Sequence, residues 1–168
     1  LSLPSPARMW LIPRTRVPCA DFALVGIRSP KGGQGYDQND LEKGGNGYVP
    51  ISLQYKNYKA VEARDTSLAG GSPFEDFVNR SYKNKVVSTN NISDMKLVLE
   101  TRKKMGNKPV IVVVNVDKPM VFKEIEPSAS AIIVHMGVQD QAIMDIVSGK
   151  VEPSGLLPFQ MPANMRTV

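Results

Sequence analysis

The stretch Pro109-Val110-Ile111-Val112-Val113-Val114-Asn115, with Pro119 shortly beyond it, decides the fold. Its β-branched residues run without polar alternation and are fenced by prolines. The run is too short for a stable helix, so it reads as a strand buried on both faces. Such strands belong to parallel sheets covered by helices, and the flanking sequence agrees. Upstream, Asn91 and Ser93 are capping residues, and Ile92, Met95, Leu97, Val98, Leu99 and Met105 follow at roughly helical spacing. Arg102, Lys103 and Lys104 fall in the last turn, where cations favour the helix dipole, and Gly106 ends the helix. Downstream, Met120 to Ile125 reads as a short helix and Ala131 to His135 as the next strand. Asp140 to Ser148 reads as a helix with Ala142, Ile143, Ile146 and Val147 as its inward stripe, stopped by Gly149.

The N-terminal half adds one more strand of the same kind, Asp21 to Ile27, which ends at Arg28-Ser29-Pro30. A glycine-rich loop, residues 28–50, follows it. Ile51 to Tyr55 alternates and predicts a short strand; Lys85 to Ser88 predicts another, and Phe74 to Val78 a turn or two of helix. The β–α alternation implies an α/β fold: a three-layer sandwich with a mostly parallel, flavodoxin-like sheet. Right-handed crossovers put the carboxyl ends of the strands on one side, where ligands usually bind. The glycine-rich loop leaves the first strand on that side. Residues 1–20 carry Pro4, Pro6, Pro13 and Pro18 and predict an arm or linker from an upstream segment, leaving 21–168 as the domain. The chain opens on Leu1 with no leader pattern, as a processed or truncated piece would.

Composition bounds the chemistry. The 168 residues are 42% apolar and 22% charged, which excludes disorder over the whole chain. No apolar run approaches the ~20 residues of a membrane-spanning helix. A single cysteine, Cys19, excludes a disulfide framework and multi-cysteine zinc sites; a single histidine, His135, excludes His-pair metal motifs. His135 ends an apolar strand and reads as a hydrogen-bonded structural residue. The net charge of +5 comes from scattered lysines and arginines, which suits a solvated surface and not a nucleic-acid face. No cofactor or metal is expected.

The loop holds a near-repeat: Lys31-Gly32-Gly33-Gln34-Gly35-Tyr36 is echoed by Lys43-Gly44-Gly45-Asn46-Gly47-Tyr48. Its glycines permit close approach to a ligand, but the P-loop order is absent and neither cluster opens a clear helix. Tyr36 and Tyr48 read either as platforms for the apolar face of a sugar or as anchors of the loop. Between them lie Asp37, Asp40 and Glu42, any of which becomes a general acid if burial raises its pKa, or else remains a solvated charge.

The last sixty residues resemble the C-terminal domain of glycoside hydrolase family 3. Lys108 to Asn115 followed by Lys118-Pro119 is similar to the family's "kPvVvVl…grP" stretch. Ala131 to Pro162 continues the likeness through Ala142, Asp145-Ile146-Val147, Gly149 and the most specific piece, Glu152-Pro153-Ser154-Gly155-Leu156-Leu157-Pro158. Asp21 to Ile27 is similar to the family's first strand in this domain. Met136 to Gln141 departs from the family's Pro-Gly-x-x-Gly-Gly turn, and residues 56–90 look like an insertion.

The resemblance implies a division of labour. The nucleophilic Asp belongs to a preceding (β/α)8 barrel, and 168 residues fall short of the ~250 a barrel needs. The C-terminal domain covers the barrel's mouth and often supplies the acid/base. A retaining enzyme needs its two carboxyl groups roughly 5–5.5 Å apart, so this chain alone would be inactive. Leu41 to Pro50 echoes the family's acid/base loop, which makes Glu42 the expected catalytic residue and Tyr36, Asp37, Asp40 and Tyr48 its substrate-binding neighbours. The implied protein is a retaining β-glycosidase of β-glucosidase type, with a carbohydrate substrate and the barrel of the same polypeptide as partners, and a periplasmic or secreted location. The alternative is a non-catalytic carbohydrate-binding or structural module, since fold does not fix function. A nucleotide or flavin binder ranks behind both, because no G-x-G-x-x-G follows a strand and opens a helix.

Overall fold

The computed structural model describes residues 20–33, 35–63, 66 and 80–167. The proline-rich arm, Cys19 and the turn expected at Phe74 to Val78 lie outside the described residues. The strands β1 (Ala23–Arg28), β4 (Val110–Asn115) and β5 (Ala131–His135) form one parallel sheet in the order β1-β4-β5. A small antiparallel pair joins β2 (Tyr58–Lys59) to β3 (Val86–Val87). The helices are α1 (Gln38–Glu42), α2 (Ile92–Met105) and α3 (Asp140–Val147). The mixed α/β architecture with a parallel sheet agrees with the expected sandwich class.

The core explains why these segments settle where they do. Alternate residues of β1 (Ala23, Val25, Ile27) and β4 (Val110, Val112, Val114) are buried on one sheet face and pack with Met95, Val98 and Met105 of α2. Ile132 and Val134 of β5 extend that face. Full burial of each such side chain is worth about 1.5–3 kcal/mol, which outweighs the modest helix propensity of α2. Val113 points to the other face and is also buried, as the uninterrupted apolar run predicted.

Two details depart from expectation. Among the described residues, Ile51 to Tyr55 pairs with no strand: the N–H groups of Tyr55 and Lys56 donate to Glu124 at 2.5 and 3.0 Å, and Ser52 Oγ bonds within the segment. A carboxylate from residue 124 thus replaces a ladder. Met120 to Ile125 holds a 3₁₀ turn, Phe122–Glu124, with a second at Glu126–Ser128 where Pro127 opens it. Arg102 does more than complement the dipole of α2. Its guanidinium donates to the carbonyls of Ser128, Gly106 and Lys108 at 2.8–2.9 Å, tying the helix end to the entry of β4 and β5.

All three sheet strands finish level, with Asn115 paired to Arg28 on one side and His135 on the other. Their outgoing loops therefore leave from one edge. The loop after β1 is fixed at its root. Ser29 N–H donates to the Asn115 carbonyl, the Tyr55 hydroxyl donates to the Arg28 carbonyl, and Asp94 accepts from Arg28 N–H at 3.0 Å. Asn91, at the start of α2, makes no capping bond of its own; it accepts from Lys31 N–H at 2.7 Å and donates to the Ser29 carbonyl at 3.0 Å.

Candidate functional site

The near-repeat folds back on itself. Tyr36 and Tyr48 form an antiparallel bridge, with Asp37 N–H donating to the Gly47 carbonyl at 2.8 Å and Val49 N–H to the Gly35 carbonyl at 3.2 Å. The two glycine clusters thus become the arms of one hairpin, and α1 sits at its tip. That helix was not foreseen, although its signal was present: Asp37 caps it, accepting from Asn39 N–H at 2.9 Å.

Gly47 shows why the arms need glycine. Its φ is +80°, and a Cβ there would lie 2.5 Å from the Tyr36 ring. Tyr48 is fully buried; its ring meets that of Tyr36 edge-on at 5.5 Å, and the Arg80 guanidinium lies 5.8 Å from its centroid. Of the two roles foreseen for the tyrosines, Tyr48 has the geometry of an anchor. Tyr36 is only half-buried and keeps part of its surface open.

The three acidic residues divide by their partners. Asp40 accepts from Lys85 Nζ at 2.7 Å and from Gly47 N–H at 3.0 Å. Lys85 also donates to Asn46 Oδ1 at 2.5 Å, and Asn46 donates to the Ser81 carbonyl. Partial burial of Asp40 pushes its pKa up. The Lys85 hydrogen bond, the Gly47 N–H and the charges of Lys85 and Lys43 outweigh that, and its carboxyl ends below the usual range. Asp40 is therefore a fixed anion that clamps the hairpin. Lys85 lies 45 residues from Asp40, and nothing local in the sequence marks the pair.

Asp37 is spent on the helix cap. Glu42, the last residue of α1, is exposed and makes no hydrogen bond or ion pair among the described residues. The structure thus brings Tyr36, Asp40 and Tyr48 together and leaves Glu42 at the hairpin tip.

His135, at the end of β5, accepts at Nδ1 from the N–H groups of Gly137 and Val138 at 3.3 and 3.4 Å. Burial lowers its pKa, partly countered by Asp140, and by accepting at Nδ1 the ring shapes the turn. Sequence reasoning passed over a second feature of the same edge. Buried Ser29 donates through Oγ to Asp117 Oδ1 at 2.5 Å, joining the loops after β1 and β4. Among the described residues no group of three or more His, Cys, Asp or Glu side chains gathers as a metal site, and no helix is long and apolar enough to cross a membrane.

Residues 79–168 match the glycosyl hydrolase family 3 C-terminal domain. Over 60 residues, 36% of the chain, the sequence is 37% identical to "Beta-glucosidase C" of Emericella nidulans. It is 38% identical over the same length to "Probable beta-glucosidase C" of Aspergillus flavus and of Aspergillus oryzae. The matched stretch spans about a tenth of the length of these curated relatives. No solved structure gives a significant match.

Proposed function

Because the chain belongs to the glycosyl hydrolase family 3 C-terminal domain family, we propose that it is the C-terminal part of a retaining β-glucosidase-like hydrolase, a domain that begins before the matched residues and includes β1. A barrel elsewhere in the polypeptide supplies the nucleophile and binds the glycoside. This chain closes over it and supplies the acid/base, Glu42. In the first half-reaction the Glu42 carboxyl gives its proton to the leaving oxygen as the nucleophile attacks the anomeric carbon. In the second, the Glu42 carboxylate takes a proton from the water that cleaves the glycosyl ester. Tyr36 presents its open surface to the sugar, Asp37 sets the helix that carries Glu42, and Asp40 and Tyr48 hold the hairpin. An extracytoplasmic location goes with this function.

One observation carries the assignment. Within the hairpin tip, Asp37 is engaged by Asn39 and Asp40 by Lys85, whereas Glu42 is engaged by none of the described residues. An exposed carboxyl donates a proton to a glycoside only when a second surface covers it. The chain has apolar surface for such contact: Met136, Val138, Met144, Val151 and Leu157 are exposed, and Leu156 is 95% exposed. The same exposure of Glu42 favours a second reading, a non-catalytic carbohydrate-binding or structural module.

Kinetics of the full-length protein separate the two. Glu42→Gln should lower kcat/KM on alkyl β-glucosides by about 10²–10⁴-fold, and much less on an aryl glycoside with a good leaving group. Azide should restore turnover and yield the glycosyl azide. The isolated 168-residue chain should turn over neither substrate. Unchanged kinetics in Glu42→Gln would remove the acid/base assignment.

A further inference from the structure

The loops leaving β1 and β4 enclose a cleft of about 340 Å³ lined by Lys31, Gly32, Gly33, Asn90, Asp117 and Lys118. That volume is at the small end of the range for small-molecule sites, about 300–1,000 Å³. It lies at the carboxyl edge of the parallel strands, the side on which such folds bind ligands. Its walls are braced. Asn90 N–H donates to the Lys31 carbonyl at 2.8 Å, and Lys31 N–H donates to Asn91. A Cβ on Gly32 would sit 3.0 Å from the Ser88 carbonyl oxygen, so the chain segments cross closely there.

The polar groups have a definite pattern. Ser29, 1% exposed, donates to Asp117 Oδ1 and fixes the orientation of that carboxylate. Asp117 Oδ2 has no partner among the described residues, and neither Lys31 nor Lys118 forms an ion pair there. The lining therefore combines one oriented carboxylate with two lysines and Asn90. A hard anion would meet the Asp117 carboxylate. An apolar ligand would find no aromatic or aliphatic wall. A neutral polyol matches, because each hydroxyl both donates and accepts: one donates to Asp117 while its neighbour accepts from a lysine.

We propose that this cleft is a sugar subsite, holding one glycosyl unit of the substrate through a pair of adjacent hydroxyls, with Asp117 as acceptor and Lys31 and Lys118 as donors. The proposal rests on the glycosidase reading for the identity of its ligand, but not on Glu42.

The test is amide NMR on the 168-residue chain titrated with cellobiose, methyl β-glucoside, inorganic phosphate and glucuronate. Saturable shifts with cellobiose and methyl β-glucoside, confined to the amides of Gly32, Gly33, Asn90, Asp117 and Lys118, are expected. Asp117→Asn and Lys118→Met should each weaken that binding by about tenfold or more, the loss of one charge-assisted hydrogen bond. Lys103→Met, which removes a distant exposed charge, should not. Asp117→Asn keeps an acceptor for Ser29, and its thermal unfolding reports whether the fold is retained. Binding of phosphate or glucuronate without the neutral sugars would overturn the proposal, as would the absence of saturable shifts or equal binding by the cleft variants. Should Glu42→Gln abolish turnover in the full-length protein while the cleft binds no sugar, the glycosidase reading stands and only the subsite falls.

Discussion

Tyr55→Phe isolates one of the bonds at the root of the loop that follows β1. The Tyr55 ring is fully buried, and its hydroxyl donates to the carbonyl of Arg28, the last residue of β1. Burial, with the charges of Asp94 and Glu124, raises the phenol far above its usual pKa, so it remains a donor at any working pH. Phenylalanine keeps the ring and the packing, and only the hydrogen bond is lost. The stranded carbonyl retains Asn91 Nδ2 at 3.5 Å, too long to replace the lost donor fully. The cost should be about 1–2 kcal/mol, which for a chain of this size lowers Tm by about 3–6 °C. Urea unfolding at neutral pH measures it, with an unchanged m-value showing that only stability moved. Thr89→Val, which removes a 2.6 Å bond from Thr89 Oγ1 to the Tyr55 carbonyl, should couple to it, the double variant departing from the sum by about 0.5 kcal/mol or more. A loss below about 0.3 kcal/mol in Tyr55→Phe, no larger than a neutral surface change, would show that the loop root is held elsewhere.

Two further outcomes test the hairpin. Gly47→Ala and Gly44→Ala both place alanine at positive φ, +80° and +86°, at a backbone cost of about 1–2 kcal/mol. Only the Gly47 variant also drives a Cβ into the Tyr36 ring, whereas nothing lies within 4 Å at Gly44. Equal unfolding free energies for the two would refute the packing described at Tyr36. Asp40, with its folded pKa below its unfolded one, stabilises the fold above the unfolded value of about 4. That stabilisation is lost as pH falls through the folded value. Lys85→Met should therefore flatten the acid side of a plot of urea midpoint against pH; an unaltered acid limb would mean that Lys85 does not hold Asp40.

What the sequence made legible were the elements whose cause is local. Val110–Asn115 and Ala131–His135 appear with the expected bounds, because a short β-branched or apolar run between breakers has few other folded states. The helix Ile92–Met105 follows from its periodicity and Gly106. Ile51 to Tyr55 misled because its alternation is that of a strand, while its backbone donors are met by Glu124 from far along the chain. The site was legible only as a set. Asp37, Asp40 and Glu42 are equivalent in composition, and they separate only through Asn39, a local partner, and Lys85, a distant one. The 31–33 and 117–118 cleft had no local signal, since the Ser29 to Asp117 bond spans 88 residues.

The level strand ends tie these features together. Because Arg28, Asn115 and His135 share one register, the hairpin bearing Glu42, the Asp117 and Lys118 loop and the His135 turn all leave the same edge of the sheet. None of the three was selected by proximity in sequence; the parallel sheet assembles them, since each strand must return through a crossover before the next begins. The opposite edge carries a wider hollow around Glu126, Pro127, Ser130 and Ala131, at the amino end of β5, where the Arg102 guanidinium donates to Ser130 Oγ at 2.9 Å. The hairpin is fixed at both ends of its reach: at the root by Tyr55, Asn91 and Asp94, and near the tip by the Asp40–Lys85 clamp.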